Sequence, residues 1–579
     1  MIRVLFLIWV FALSHTSFAE SEEETLQELI DSHWQWVVDS SPEYAVFMGD
    51  IDRASEWDDV SLEQQAENDA QLAVFEQTLK SIDSNNLSEA SALNQRLLLA
   101  QIQRQRERYA LGFNLVEITM RGGPQSLFTV TETLPFRTEA DYERWLQRLE
   151  ALPARLEQEQ AILQAGVDRG IVQARVIMQR IPGQLAKITQ VDTLENPFYK
   201  PFLDFPEGID PAKLQMLSER GARAIEDHVG PSYRKFEQFF NEVYLPASRV
   251  EVGIGALQSG REMYESAARR FTTTSLSPEQ IHQIGLDEVA RIRGEMEELI
   301  QELGFDGDLQ DFNDYLRTAP EFYYESPEAL FEGYLAVSKR LDPELVKLFG
   351  RLPRMPYGVR AIPEQIAPDT TTAYYMRPAA DGSRAGYYYV NLYRPEVRPK
   401  YEMEVLSVHE AVPGHHLQIA LAQELEGLPT FRKLSGPTAF IEGWGLYSER
   451  LGYDMGLYRD PYSRYGQLIY DMWRAVRLVV DTGMHYMGWT REQAIEYFKN
   501  NAAKTEADII NEIDRYIGWP GQALAYKIGQ LKILELRSRA EQRLGDRFDI
   551  RAFHDHLLGA GALPLDVLEE RMDRWLASQ

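Results

Sequence analysis

The residues in this chain best suited to chemistry lie close together, in the run His409-Glu410-Ala411-Val412-Pro413-Gly414-His415-His416. A zinc-peptidase helix usually carries two histidines four residues apart, so that both imidazoles share one face, with a glutamate between them that can act on a metal-bound water. Here the spacing differs, since His415 and His416 follow His409 by six and seven residues and the fourth position is Pro413. In a regular helix the sixth residue points to another face and the seventh lies about 10 Å along the axis, so neither could share an ion with His409. Pro413, however, lacks an amide hydrogen and its ring clashes with the His409 carbonyl, while Gly414 opens backbone conformations closed to other residues. The pair predicts an interrupted helix. With two residues looped out, His415 takes the place of the usual second histidine; His416 remains the alternative, and otherwise falls just behind the ligands.

A third ligand is needed, and the helical segment Phe440-Ile441-Glu442-Gly443-Trp444-Gly445-Leu446-Tyr447-Ser448-Glu449 supplies carboxylates. Glu442 is the natural choice. Gly443 and Gly445 remove side chains that would hold a neighbouring helix away, and Glu449, two turns on along the same face, is placed to orient a ligand histidine. The sequence has no cysteine, so a bound metal must be held by imidazoles and carboxylates, and Zn²⁺ is the expected cofactor. A histidine pair is ordinarily core or surface, and a glutamate in an acidic chain is ordinarily solvated. The combination of His-Glu, a Pro-Gly interruption, a second histidine and a glutamate-bearing helix favours the metal.

The apolar segment Tyr470 to His485 carries a polar stripe, Arg474, Arg477, Asp481 and His485, at helical spacing. Such a stripe is either a water-facing edge or the paired lining of a cleft. In a hydrolase His485 would donate to an anionic tetrahedral intermediate and Arg477 would bind a peptide carboxylate. Downstream, Arg515-Tyr516 and Gly521-Gln522-Ala523-Leu524-Ala525-Tyr526-Lys527 add candidates. Tyr526 is expected to stabilise the oxyanion through its phenol. Asp481, Tyr516 and Lys527 are expected at the substrate or just behind the ligands.

These residues must be positioned by helices. From Glu22 to Phe349 apolar residues recur at three- and four-residue spacing, as in Tyr142, Trp145, Leu146 and Leu149. The region from Thr371 to Asn391 changes character: Thr371–Met376 and Gly386–Asn391 are β-rich runs flanking a turn around Ala379-Ala380-Asp381-Gly382-Ser383. A hairpin near the metal helix follows, with a strand edge on which an extended peptide could pair. From Tyr401 the pattern returns to helix. The chain divides near position 350 into an N-terminal helical lobe (20–350) and a metal-binding catalytic lobe (351–579), within one integrated domain (20–579).

Composition narrows the partners. The net charge is −29, which argues against nucleic acid and anionic membrane as partners, although a whole-chain sum does not say where the field is focused. Met1-Ile2-Arg3, the apolar run Val4–Leu13 and the small-residue exit ending at Ala19 read as an export signal (1–19). That apolar run is too short to cross a bilayer comfortably, and no later stretch is long and uncharged enough. A periplasmic or secreted protein, not inserted in the membrane after signal removal, is expected.

The stretch His409-Glu410-Ala411-Val412-Pro413-Gly414-His415-His416-Leu417-Gln418 resembles the hallmark of the bacterial family catalogued as domain of unknown function 885. The likeness extends from Ser41-Pro42-Glu43-Tyr44-Ala45 through Gly386–Asn391 to Glu442-Gly443-Trp444, Asp481–His485 and Pro520-Gly521-Gln522-Ala523. That family is similar to the helical zinc peptidases that include angiotensin-converting enzyme and the thermostable carboxypeptidases. The resemblance implies a mainly helical, two-lobed, zincin-like shell around a deep cleft. Together these readings predict a zinc-dependent peptidase with Glu410 as general base, acting on short peptides as a carboxypeptidase or dipeptidase. The competing expectations are a non-catalytic peptide-binding protein on the same scaffold, and a zinc hydrolase of a non-peptide amide or ester.

Overall fold

A computed structural model describes residues 21–579 except 365–366, 368–370, 380–381 and 383. The expected export signal, and part of the expected turn after Ala379, lie outside the described residues.

The chain is mainly helical, as its periodicity predicts. The helices that bear on the site are α1 (Glu89–Ala110), α2 (Gly260–Thr272), α3 (Pro278–Leu303), α4 (Met403–Glu410), α5 (His415–Glu424), α6 (Thr438–Asp454), α7 (Pro461–His485), α8 (Glu506–Gly518) and α9 (Ala525–Leu544). Local chemistry sets their ends. Ser277 and Gln280 form a reciprocal capping box at the start of α3, and Gly304, in the left-handed region at φ 66°, closes it. Asp460 accepts hydrogen bonds from the Tyr462 and Ser463 amides ahead of α7, whose first position is Pro461.

Helix α7 is the central strut, and from Tyr465 to His485 every side chain except Trp473 is buried. Its polar stripe is therefore not a water-facing edge. Helix α3 lies along it with Ile281, Val289, Ile292 and Met296 inward, and the approach requires Gly285: a Cβ there would lie 2.7 Å from the Leu478 Cβ. Helices α6 and α9 touch in the same way. A Cβ on Gly443 would lie 2.5 Å from the Gly529 Cα, so the backbones meet and Glu442 on one helix comes near Tyr526 on the other.

The sheet has three strands, β1 (Tyr357–Ala361), β2 (Ala373–Met376) and β3 (Gly386–Val390), in the order β1-β3-β2. The expected hairpin forms as β2 and β3, antiparallel with Tyr375 opposite Tyr388. Strand β1 was not expected from the sequence. It pairs parallel to β3, Val359 opposite Tyr388, and its short Gly-containing run carries no alternation to announce it. Gly386, Tyr388 and Val390 of β3 are buried.

Two apolar clusters form the core. One includes Trp145, Tyr233, Phe312, Tyr388 and Met472, the other Leu26, Phe75, Tyr264, Trp444 and Leu536. Each gathers residues from both sides of position 350. A large apolar side chain buried this completely contributes about 2–3 kcal/mol. Among the described residues no helix is long and apolar enough to cross a membrane.

Candidate metal centre

The helix carrying His409 breaks where Pro413 requires. Helix α4 ends at Glu410, the chain turns through Ala411–Gly414, and α5 begins at His415. The Val412–Pro413 peptide is cis. The turn closes through the Gly414 amide, which donates to the Val408 carbonyl at 2.9 Å, and the His416 amide, which donates to the Ala411 carbonyl at 3.0 Å. Gly414 passes so close to α4 that a Cβ on it would lie 1.9 Å from the His409 carbonyl oxygen. Trp444 of α6 pins the loop by donating its indole N–H to the Pro413 carbonyl at 2.8 Å.

The result is that His409 and His415 face each other, ring centroids 4.7 Å apart and nearly perpendicular. Glu442 joins them: its Oε2 lies 3.7 Å from His409 Nε2 and 3.4 Å from His415 Nε2. Each of the three residues offers one donor atom, and these atoms lie within 4.8 Å of one another. Ligand atoms about 2.0–2.1 Å from a tetrahedral ion are roughly 3.3 Å apart. The spacing of the triad thus suits one small dication, and its donors, two imidazoles and a carboxylate, suit zinc chemically. Gly445 makes room for this, because a Cβ there would lie 2.8 Å from the His409 ring.

The carboxylate behind His409 fixes its tautomer. Glu449 is fully buried and accepts from His409 Nδ1 at 2.8 Å, which leaves Nε2 as the donor atom toward the triad. Arg474 lies 3.7 Å from the same carboxylate oxygen. Burial alone would push the His409 imidazole down in pKa, yet the adjacent carboxylates of Glu442 and Glu449 raise it to about 9. Burial would likewise raise Glu442, but the imidazoles of His409 and His415 hold it well below the usual carboxylate range. Around these imidazoles stand Glu410, Glu442 and Glu449, with the Arg474 guanidinium 3.7 Å from Glu449, a balance that favours an added cation.

Glu410 is half-buried beside the triad, and among the described residues its carboxylate has no hydrogen-bonding partner. It is free to accept a proton from a water. Tyr526 is also half-buried; burial and the nearby charge of Glu442 raise its phenol. The Gln522 amide lies 3.5 Å from its hydroxyl, and the Arg477 guanidinium sits 4.4 Å over its ring. Arg477 donates to Tyr516 at 2.8 Å and to Glu512 at 3.2 Å, leaving Nη1 buried without a partner. Tyr516 is spoken for, accepting from Arg477 and Trp473 and donating to Glu512.

Several expected residues are placed elsewhere. His485 is buried with both ring nitrogens held by backbone, Nδ1 by the Ile254 amide at 3.0 Å and Nε2 by the Tyr516 carbonyl at 2.9 Å. It has no proton left for an oxyanion. Lys527 is buried between Asp471 at 2.6 Å and Glu288 at 2.8 Å and cannot read a substrate terminus. Asp481 accepts from the Tyr264 hydroxyl and the Gly521 amide, tying α2 and the loop before α9 to α7. His416 turns away from the triad to Tyr375 at 2.9 Å and the Met355 carbonyl at 3.0 Å. Glu512 was not singled out from the sequence, and Gln522 was named only within a candidate run. Glu512 stands three and four residues before Arg515 and Tyr516, a helical spacing that could have flagged it.

No curated protein matches this sequence. Solved structures share its fold. A putative lipoprotein from Colwellia psychrerythraea is 31% identical, with a TM-score of 0.91 over 96% of this chain and 100% of that one. A putative lipoprotein of unknown function from Shewanella oneidensis is 19% identical, with a TM-score of 0.73 over 96% of this chain and 100% of that one. With a family profile matching residues 42–572, the chain belongs to the family described as bacterial protein of unknown function (DUF885).

Proposed function

We propose that this protein is an exported zinc-dependent peptidase acting on short peptides. The observation that carries the reading is the convergence of His409 Nε2, His415 Nε2 and Glu442 Oε2 at separations of 3.4 and 3.7 Å, with an unengaged carboxylate, Glu410, beside them. His409, His415 and Glu442 would hold the zinc ion, which when bound would supply Lewis-acid activation of a water and of the peptide carbonyl. Glu410 would accept a proton from the attacking water and return it to the leaving amine. The Tyr526 hydroxyl donates to the oxygen that becomes negative, a role its raised pKa suits because the phenol keeps its proton at neutral pH. Glu449 holds the His409 ring so that Nε2 stays aimed at the triad. The peptide bond as the target rests on the resemblance of the sequence motif alone. The two relatives described as lipoproteins support an envelope or exported setting, although these 579 residues contain no cysteine to carry a thioether lipid.

The deciding experiment is Glu410→Gln, with zinc content and peptide cleavage measured on the same preparation. Cleavage should fall by about 10²–10⁴ at full zinc occupancy. Undiminished turnover in the zinc-loaded variant would exclude Glu410 as the base. Purified wild-type protein that neither takes up zinc nor cleaves a peptide library would instead favour a peptide-binding role.

A further inference from the structure

A cavity of about 430 Å³ lies between the end of α1, the end of α2 and the end of α8, and five arginines line it: Arg108, Arg121, Arg249, Arg270 and Arg515. In a chain of net charge −29, such a concentration of positive charge needs a reason. Nearby acids offset part of it, at Arg108, Arg121 and Arg515, and leave Arg249 and Arg270 without a carboxylate at ion-pair distance among the described residues. Asp514 is already held by Arg180 and Arg491, and Glu117 is paired with Arg108 at 3.2 Å. Glu512 is shared among Arg121, Arg477 and Arg515. Arg249 donates only to the carbonyls of Val172, Glu251 and Val252. Arg270 sits 4.8 Å over the Phe271 ring and, among the described residues, has no hydrogen bond or ion pair from its guanidinium, Glu117 attracting it from further off. Burial pushes Arg249 and Arg270 down to about 10; Arg108 presses Arg270 further in the same direction, and Glu117 offsets part of this. Both remain charged at neutral pH, so an anion in the cavity would relieve a repulsion that the fold leaves standing.

The arginines also act on one another. Arg270 repels Arg108 and Arg104, and Arg121 repels Arg515. The lining sets these arginines beside the aromatic rings of Phe271 and Trp519, a mixed surface that suits the carboxylates and aliphatic stems of a flexible acidic chain better than a single phosphate. Arg270 and Phe271 also line an adjoining cavity of about 240 Å³, which adds Arg104 and Arg432. The link to the metal centre runs through Arg515, which donates to Gln522 at 2.7 Å, and Gln522 in turn approaches the Tyr526 hydroxyl.

We propose that this cavity is an anion-binding subsite that takes the carboxylates of an acidic peptide, so that the metal centre acts on anionic peptides. This assignment of substrate class rests on the peptidase reading above. The subsite counters the field of the whole chain, which would otherwise repel such a ligand.

The test uses matched acetylated peptides with Glu or Gln beyond the scissile bond, each with a free and an amidated end. The Glu peptides should show kcat/KM about tenfold or more above their Gln counterparts, an advantage that shrinks with added salt and is lost in Arg270→Gln and Arg121→Gln. A preference that instead follows the free end alone assigns the same chemistry to a terminal carboxylate. Equal rates for all four peptides would overturn the subsite and leave the peptidase standing. Should no peptide be cleaved, the peptidase reading fails, and calorimetry with acetylated tri-glutamate amide, tri-glutamine amide and inorganic phosphate still decides the subsite. Binding of the glutamate peptide alone, abolished in Arg270→Gln, upholds it; equal affinity for both peptides, or phosphate binding more tightly, overturns it.

Discussion

His409 Nδ1 donates to Glu449 Oε1 at 2.8 Å, and Glu449 is fully buried on the far side of the imidazole from Glu442. This bond leaves the ring only one nitrogen to offer the triad and prevents it from turning. Glu449→Gln can present an amide N–H in place of the acceptor and favours the wrong tautomer or a rotated ring. Zinc affinity, measured by competition with a chromogenic chelator, should fall by about 10–100-fold. Unchanged affinity would show that Glu449 does not orient the ligand.

Metal binding should be coupled to protons. In the metal-free protein the His409 imidazole is raised to about 9 by Glu442 and Glu449, so it is protonated at pH 7 and must give up that proton to ligate. Calorimetric titration with zinc in buffers of different ionisation heat should report about one proton released, with affinity rising about tenfold per pH unit up to pH 9. The sign for the metal-free fold follows from the same shift. The raised value stabilises the metal-free fold fully below the unfolded value near 6.5, and that contribution is lost as pH rises through about 9.

The meeting of His409 and His415 was legible in the sequence, because Pro413 and Gly414 each make a local demand on the backbone that does not depend on the rest of the fold. The roles given to His485 and Lys527 were not, because helical spacing says which face a residue occupies but not what packs against that face. His485 meets the backbone of Ile254 and Tyr516, 231 and 31 residues away in sequence, and Lys527 meets Glu288 of α3. Strand β1 escaped for a related reason, since it pairs in parallel with β3 across a connection that carries no local signal. The arginine-lined cavity is assembled from segments as far apart as Arg108 and Arg515, so its charge is averaged away in any whole-chain sum.

Gly414 and Gly445 serve the site by lacking a side chain. A Cβ on Gly414 would lie 1.9 Å from the His409 carbonyl oxygen, and one on Gly445 would lie 2.8 Å from the His409 ring. Gly414→Ala should force the turn open, destabilise the fold by about 3 kcal/mol in urea titrations and abolish stoichiometric zinc. Gly445→Ala can be accommodated by a tilt of the ring alone, so it should retain most of the stability and lose zinc affinity. Equal effects of the two substitutions on unfolding would contradict this division.

Acid should unfold the protein in part through histidines that the fold keeps neutral. Burial pushes His416 and His554 down to about 4 and His485 to about 3, while the unfolded chain titrates near 6.5. The folded state therefore binds fewer protons than the unfolded state below pH 6.5, and the stability present above that value is lost as pH falls toward 4. Each such histidine contributes about 1.4 kcal/mol per pH unit across this window. His416 offers a clean comparison. Its ring accepts from the Tyr375 hydroxyl and donates to the Met355 carbonyl, functions that a glutamine amide supplies without titrating. In urea titrations of metal-free protein between pH 6.5 and 4.5, His416→Gln should flatten the decline in stability by about 1.4 kcal/mol per pH unit relative to wild type. An identical slope in both proteins would mean that His416 is not held neutral by the fold.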